Sequence, residues 1–137
     1  MNHKIGLACI IDDDNMYVSL VKRIIEAKNL CQNIMVFENG KDALSYFEAI
    51  FTSLDKKNIP EIIFLDLNMP IMNGWEFLDN FTKIKNKIGK IITLYIVSSS
   101  INPVDIERAK NINTVKDYLI KPVTIEDLEA IFLKQTL

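Results

Sequence analysis

The sequence predicts a doubly wound α/β domain, a (βα)5 chain whose five parallel strands lie in the order 2-1-3-4-5. Three observations carry this. Five short runs rich in β-branched residues, at 5–11, 33–37, 61–66, 91–98 and 115–120, alternate with longer stretches of helical spacing. Four of those stretches are preceded by an N-cap residue with an acid three positions later. The first, third, fourth and fifth runs are the most uniformly apolar, as strands covered by helices on both faces must be. The second, NIMVF, is shorter and suits an edge. Right-handed crossovers then put the first and third runs side by side, where the strand order reverses.

Each element has its own justification. IGLACII opens the chain as a buried strand, with Cys9 acting as a small hydrophobe. Asp14 caps the helix that follows, whose apolar stripe is Val18, Val21, Ile24 and Ile25. After NIMVF, Asn39 and Asp42 start a second helix that buries Leu44, Phe47 and Phe51. IIFL ends on Asp66, and the loop DLNMPIMNG leads to Asn73 and Glu76, which start a helix with Phe77, Leu78, Phe81 and Ile84 inward. IITLYIV ends on Ser98; Asn102 and Asp105 then start a shorter helix with Val104, Ile106 and Ala109. Pro103 falls at its first position, where a missing N–H costs nothing. YLI ends on Lys121, and Thr124 with Asp127 starts the last helix, carrying Ile125, Leu128, Ile131 and Phe132.

Composition narrows the function. A chain of 137 residues, 49% apolar and 25% charged, is one domain with one core system. Its net charge is −2 and its sixteen Lys and Arg are scattered, which disfavours a nucleic-acid partner. Two cysteines without CxxC spacing and a single His give no zinc pattern. No signal peptide and no apolar stretch approaching roughly eighteen residues is visible. The expected compartment is the cytoplasm, away from any membrane.

The informative feature is what the strands end on. In a sheet of this order, ligands bind beyond the carboxyl ends of the strands at the switch point. Asp12, Asp13 and Asp66 meet there, flanked by Ser98 and Lys121. Taken alone, an acidic triplet is a solvated turn more often than a site, and a serine run is often only a turn. Together they are different. Carboxylates about 4 Å apart repel by roughly 4 kcal/mol at an effective dielectric near 20, so the fold must supply a cation. Mg2+ accepts oxygen ligands of this kind, and the Asn68 backbone carbonyl can complete its shell. Asp66 then reads as a nucleophile toward phosphorus, giving an aspartyl phosphate. Pro122 biases Lys121 toward an extended conformation, so that its ammonium projects to the acids and pairs with Asp66. The Ser98 hydroxyl faces the same crevice as a donor to a phosphoryl oxygen. Three carboxylates, one ammonium and one Mg2+ sum to zero charge.

IIDDD, FLDLNMP followed by NG, VSSS and YLIKP, in that order, closely resemble the response-regulator receiver domains of two-component signalling. The resemblance covers about residues 5 to 135 and implies one receiver domain over residues 1–137 with a flavodoxin-like fold. It implies that Asp66 is the phosphoacceptor, supplied by a sensor histidine kinase or phosphotransfer protein. It implies that Asp13 ligates Mg2+ directly, Asp12 mainly through water, and Asn68 through its carbonyl. It further implies that Lys121 contacts the acid and phosphoryl group and that Ser98 with Tyr118 forms the switch pair. The surface of the fourth helix, fifth strand and fifth helix, residues about 103–135, then changes its affinity for a downstream protein. The bland reading of Tyr118 is a half-buried strand aromatic. Two departures stand out: Ser in place of the commoner Thr at 98, and KNINTVKD where a small Gly-containing turn is common before the fifth strand.

The expectation is a stand-alone signalling switch, monomeric or weakly dimeric, that is no enzyme beyond its own phosphorylation and dephosphorylation. The last helix is expected to close near Gln135, leaving no room for an output domain. The alternative is a metal-dependent phosphohydrolase with an aspartyl-phosphate intermediate. Such hydrolases usually carry an Asp two residues after the nucleophile, and here that place is Asn68. A flavin carrier is disfavoured because acids at the end of the first strand would repel its phosphate. A receiver that signals by binding alone is disfavoured by the intact acid, hydroxyl and lysine set.

Overall fold

The computed structural model describes residues 5–53, 58–87 and 91–136. Strands and helices alternate: β1 (Ile5–Ile11), α1 (Asn15–Ala27), β2 (Cys31–Phe37), α2 (Gly40–Thr52), β3 (Ile62–Leu65), α3 (Gly74–Lys85), β4 (Thr93–Ser98), α4 (Pro103–Lys110), β5 (Val115–Ile120) and α5 (Ile125–Thr136). All pairs are parallel and the order is β2-β1-β3-β4-β5. The fold class and strand order are those the sequence predicts. β2 starts two residues earlier than its apolar run, because an edge strand needs only ladder bonds on one side and tolerates exposed Gln32 and Asn33.

The pleat sorts the core into two layers, since successive side chains of a strand point to opposite faces. Cys9, Ile11, Ile63, Leu65, Leu94 and Ile96 share one cluster with residues of α2 and α3. Ala8, Ile10, Ile62, Phe64, Tyr95 and Val97 share the other with α1 and α5. The first layer is dominated by Phe47, Phe77 and Phe81, all fully buried, with ring centroids 5.3 to 6.2 Å apart. Truncating one such ring costs about 3–5 kcal/mol.

Helix starts follow their local signals. Asn39 Oδ1 accepts the Asp42 N–H at 2.8 Å, and Asn73 with Glu76 forms a reciprocal capping box. Thr124 Oγ1 accepts the Asp127 N–H. α4 differs. Asn102 accepts from Val104 N–H, and Asp105 is taken instead by the Ser100 hydroxyl at 2.7 Å. Of its expected apolar stripe only Ala109 is buried, and Val104 is 71% exposed. A helix of eight residues touches the sheet over too short a length to bury more.

The segment KNINTVKD closes without glycine. Val115 N–H bonds to the Ile112 carbonyl, and buried Thr114 shares a 2.9 Å hydroxyl contact with Thr82 of α3. β5 begins with a register shift opposite Leu94 and Tyr95. Among the described residues, no helix is long and apolar enough to cross a membrane.

Candidate functional site

Asp12, Asp66 and Lys121 stand immediately beyond their strands, Ser98 is the last residue of β4, and the ladder holds them there. Asp12 N–H bonds to the Phe37 carbonyl, Asp66 N–H to the Ile11 carbonyl, and Lys121 N–H to the Ser98 carbonyl, each at 2.9 Å. Every one of these amides therefore belongs to the sheet although the residue itself follows the strand. The pleat also fixes direction: Asp12 continues the Ala8 and Ile10 side, and Asp66 the Ile62 and Phe64 side. Both point toward the α1 and α5 layer.

Asp12, Asp13 and Asp66 each offer a carboxylate oxygen within 4.8 Å of the others. Asp12 and Asp66 are buried, whereas Asp13 is exposed. Lys121 reaches in from the end of β5. Its Nζ lies 2.8 Å from Asp12 Oδ2 and 3.8 Å from Asp66 Oδ1. The expected Asp66 partnership is thus the longer of two contacts, and Asp12 is the principal partner. Asp12 Oδ1 also accepts the Asp14 N–H at 2.9 Å, while Asp14 caps α1 by accepting from Tyr17 N–H. Both oxygens of Asp12 are engaged.

Asp66 is a perturbed acid. Burial, first, and then the charge of Asp12 push its carboxyl up from 3.8 to about 6. Lys121 and the backbone N–H groups of Asn68 and Leu67 pull the other way. Perturbation of this size, beside a second buried acid and an ammonium, marks a candidate site. The donor set is all oxygen, with neither imidazole nor thiolate, and its charge is only partly met by Lys121. Those properties fit a hard dication such as Mg2+.

Ser98 is fully buried, and its hydroxyl oxygen accepts the Ser100 N–H at 3.1 Å. Ser98 thus forms a serine turn, and Ser100 forms the next one by accepting the Asn102 N–H at 3.3 Å. Tyr118 is half-buried and donates its hydroxyl to the Ser100 carbonyl at 2.8 Å. Ser98 and Tyr118 are joined through residue 100, and Ser98 is joined to Lys121 through the backbone. Asn68 is exposed in the loop after β3. The Lys121–Pro122 bond is cis.

Two features escape the sequence reading. Tyr17, in the first turn of α1, lays its ring under the Lys121 ammonium, 4.5 Å from centroid to Nζ. Burial pushes its hydroxyl up, and Asp12, Asp66 and Asp14 add to the effect. The only local signal is an aromatic residue three positions after the cap. The second feature is the packing of the loop after Asp66. Met72 N–H bonds to the Pro70 carbonyl across Ile71, whose φ is 72°. Such a conformation costs a β-branched residue about 1–3 kcal/mol. It is held by Gly74 N–H on the Leu67 carbonyl and Gly40 N–H on the Met72 carbonyl.

Comparison with known proteins identifies the family. The chain matches the response regulator receiver domain over residues 8–133. It belongs to that family. This receiver is 28% identical over 120 residues to the probable methanogenesis regulatory protein FilR2 of Methanothrix harundinacea, covering 88% of this chain and 74% of that protein. It is 32% identical over 127 residues to the nitrate/nitrite response regulator protein NarL of Escherichia coli, covering 93% of this chain and 53% of that protein. The receiver thus spans about half the length of NarL. A two component response regulator from Cytophaga hutchinsonii superposes with a TM-score of 0.81 at 30% identity, over 97% of this chain and 98% of that one. The phosphohydrolase alternative finds no support among these relatives.

Proposed function

We propose that this receiver is a phosphorylatable switch in which Asp66 takes a phosphoryl group from a phosphohistidine on a sensor histidine kinase or phosphotransfer protein. The gathering of Asp66 with Asp12, Asp13 and Lys121 in one crevice carries the reading. An Asp66 oxygen forms the new bond to phosphorus as the P–N bond to the donor imidazole breaks, and the imidazole leaves with a proton from solvent.

Asp13, Asp66 and the Asn68 carbonyl are the groups that would hold Mg2+, and Asp12, whose oxygens already have partners, would act through water. When bound, Mg2+ neutralises charge on the acids and on the transferred phosphoryl oxygens. Lys121 supplies the second cation. The Ser98 hydroxyl keeps its own proton to donate. Turning toward a phosphoryl oxygen, it releases Ser100 N–H, and the Tyr118 hydroxyl loses a fixed acceptor at the Ser100 carbonyl. A local charge thereby biases a two-state element. The surface that changes comprises residues about 103–135, where exposed Val104, Ile125 and Leu133 serve a downstream protein. The chain works in the cytoplasm as one domain over residues 1–137, monomeric or weakly dimeric, without nucleic acid or membrane. It catalyses only its own phosphorylation and dephosphorylation.

Incubation with acetyl phosphate and Mg2+, followed by mass spectrometry, tests this. A single labile adduct on Asp66 is expected, absent from Asp66→Asn and from samples without Mg2+. No adduct on wild type, or equal labelling of Asp66→Asn, defeats the reading. Equal labelling without Mg2+ defeats its metal part.

A further inference from the structure

We propose that Tyr17 is a positioning residue, whose ring face holds the Lys121 ammonium between Asp12 and Asp66. The inference rests on the reading of Asp66 as phosphoacceptor and adds to it a residue that never touches the phosphoryl group.

Lys121 carries its charge on a flexible four-carbon stem, so its position is set by what surrounds the ammonium. Asp12 Oδ2 takes it at 2.8 Å and Asp66 Oδ1 stands at 3.8 Å. A third side is the Tyr17 ring, with Nζ 4.5 Å from its centroid. A cation at that distance from an aromatic face is attracted by the ring quadrupole, and the effect grows where water is excluded. The Lys121 side chain is only 15% exposed, so part of that water is excluded here.

An aliphatic side chain in place of Tyr17 would fill space without attracting charge. The ammonium would then keep its Asp12 partner and lose the contact that opposes its drift from Asp66. Tyr17 is itself well anchored. It follows Asp14, whose side chain accepts its N–H at 3.1 Å, and it packs against the α1 and α5 layer. The hydroxyl has no part in this role; the ring does.

Two readouts test the proposal. The first is the rate of Asp66 labelling by acetyl phosphate in saturating Mg2+. Tyr17→Leu and Tyr17→Met are expected to slow it by about 3- to 10-fold, in line with a partly desolvated cation–π contact. Tyr17→Phe is expected to rescue the rate, and calorimetry should give the same Mg2+ affinity for all four proteins. The second is a urea-unfolding cycle of Tyr17→Leu and Lys121→Met. The Tyr17 substitution should shift the unfolding constant about threefold less when Lys121 is absent. A role confined to packing would give additive effects and no rescue specific to phenylalanine. Labelling unchanged in both Leu and Met variants, a Phe variant as slow as Leu, or an additive cycle overturns the inference while the phosphoacceptor reading stands. An unlabelled wild type overturns both.

Discussion

Lys121 sits 2.8 Å from Asp12 and 3.8 Å from Asp66, so the acid it neutralises most directly is not the one at the end of the central strand. Asp66 is left with burial and the nearby Asp12 charge, offset by a more distant cation and two backbone N–H groups. A carboxylate held this way is protonated more readily than a free one. It is also poised to gain a cation.

Lys121→Met follows from this arrangement. The substitution leaves two buried carboxylates without their ammonium, which costs about 2–4 kcal/mol at pH 8 without Mg2+. The loss should shrink at pH 5, below the Asp66 value of about 6, because one of the two acids is then neutral. Urea unfolding at both pH values measures it. An equal loss at both would show that Lys121 acts through packing of its stem.

Asp66→Asn should stabilise the protein. The native carboxyl holds its proton up to about pH 6, and its ordinary value is 3.8. Between those values the native state binds a proton that the unfolded chain has released. The group's stabilising contribution is therefore full below about 3.8 and lost as pH rises through about 6. A shift of this size corresponds to about 3 kcal/mol before discounting for the solvent that reaches the crevice. In Mg2+-free buffer at pH 7.5, Asp66→Asn is expected to exceed wild type by about 1–3 kcal/mol, with the gap closed at pH 4. Thermal or urea melts across that range check both sign and window.

Gly74→Ala tests the seat of the loop. A Cβ at Gly74 would meet the Leu67 Cα at 2.7 Å and the Asp66 carbonyl closer still. No described glycine has positive φ, so close approach of α3 to the Asp66 backbone imposes glycine here, without any demand on conformation. The expected cost is about 1–3 kcal/mol of stability. Displacing Asp66 should also slow its labelling by about tenfold or more. Wild-type labelling in a destabilised Gly74→Ala would show that the loop yields without moving the acid.

Much of this architecture is written locally. Short, continuously apolar runs between caps and helical stripes fix five strands, five helices and their order, because strand burial and crossover handedness leave few alternatives. The strand ends themselves are legible too, since each apolar run stops on Asp12, Asp66, Ser98 or Lys121. Asn39, Asn73 and Thr124 cap as their sequence spacing states, because a cap needs only atoms within one turn.

Other features depend on elements that meet only after folding. The choice of Asp12 over Asp66 by Lys121 depends on where β5 ends relative to β1, with the two strands β4 and β3 between them. The Tyr17 ring reaches Lys121 because α1 crosses that side of the sheet. The Ser98 hydroxyl turns to Ser100 because a buried oxygen at a strand end takes the nearest unpaired N–H. Gly74 is required by the backbone of a loop seven residues earlier. Sequence by itself determined which groups stand at the strand ends. The tertiary structure decided which of them touch, because long side chains at a shared edge have several partners within reach and only packing selects among them.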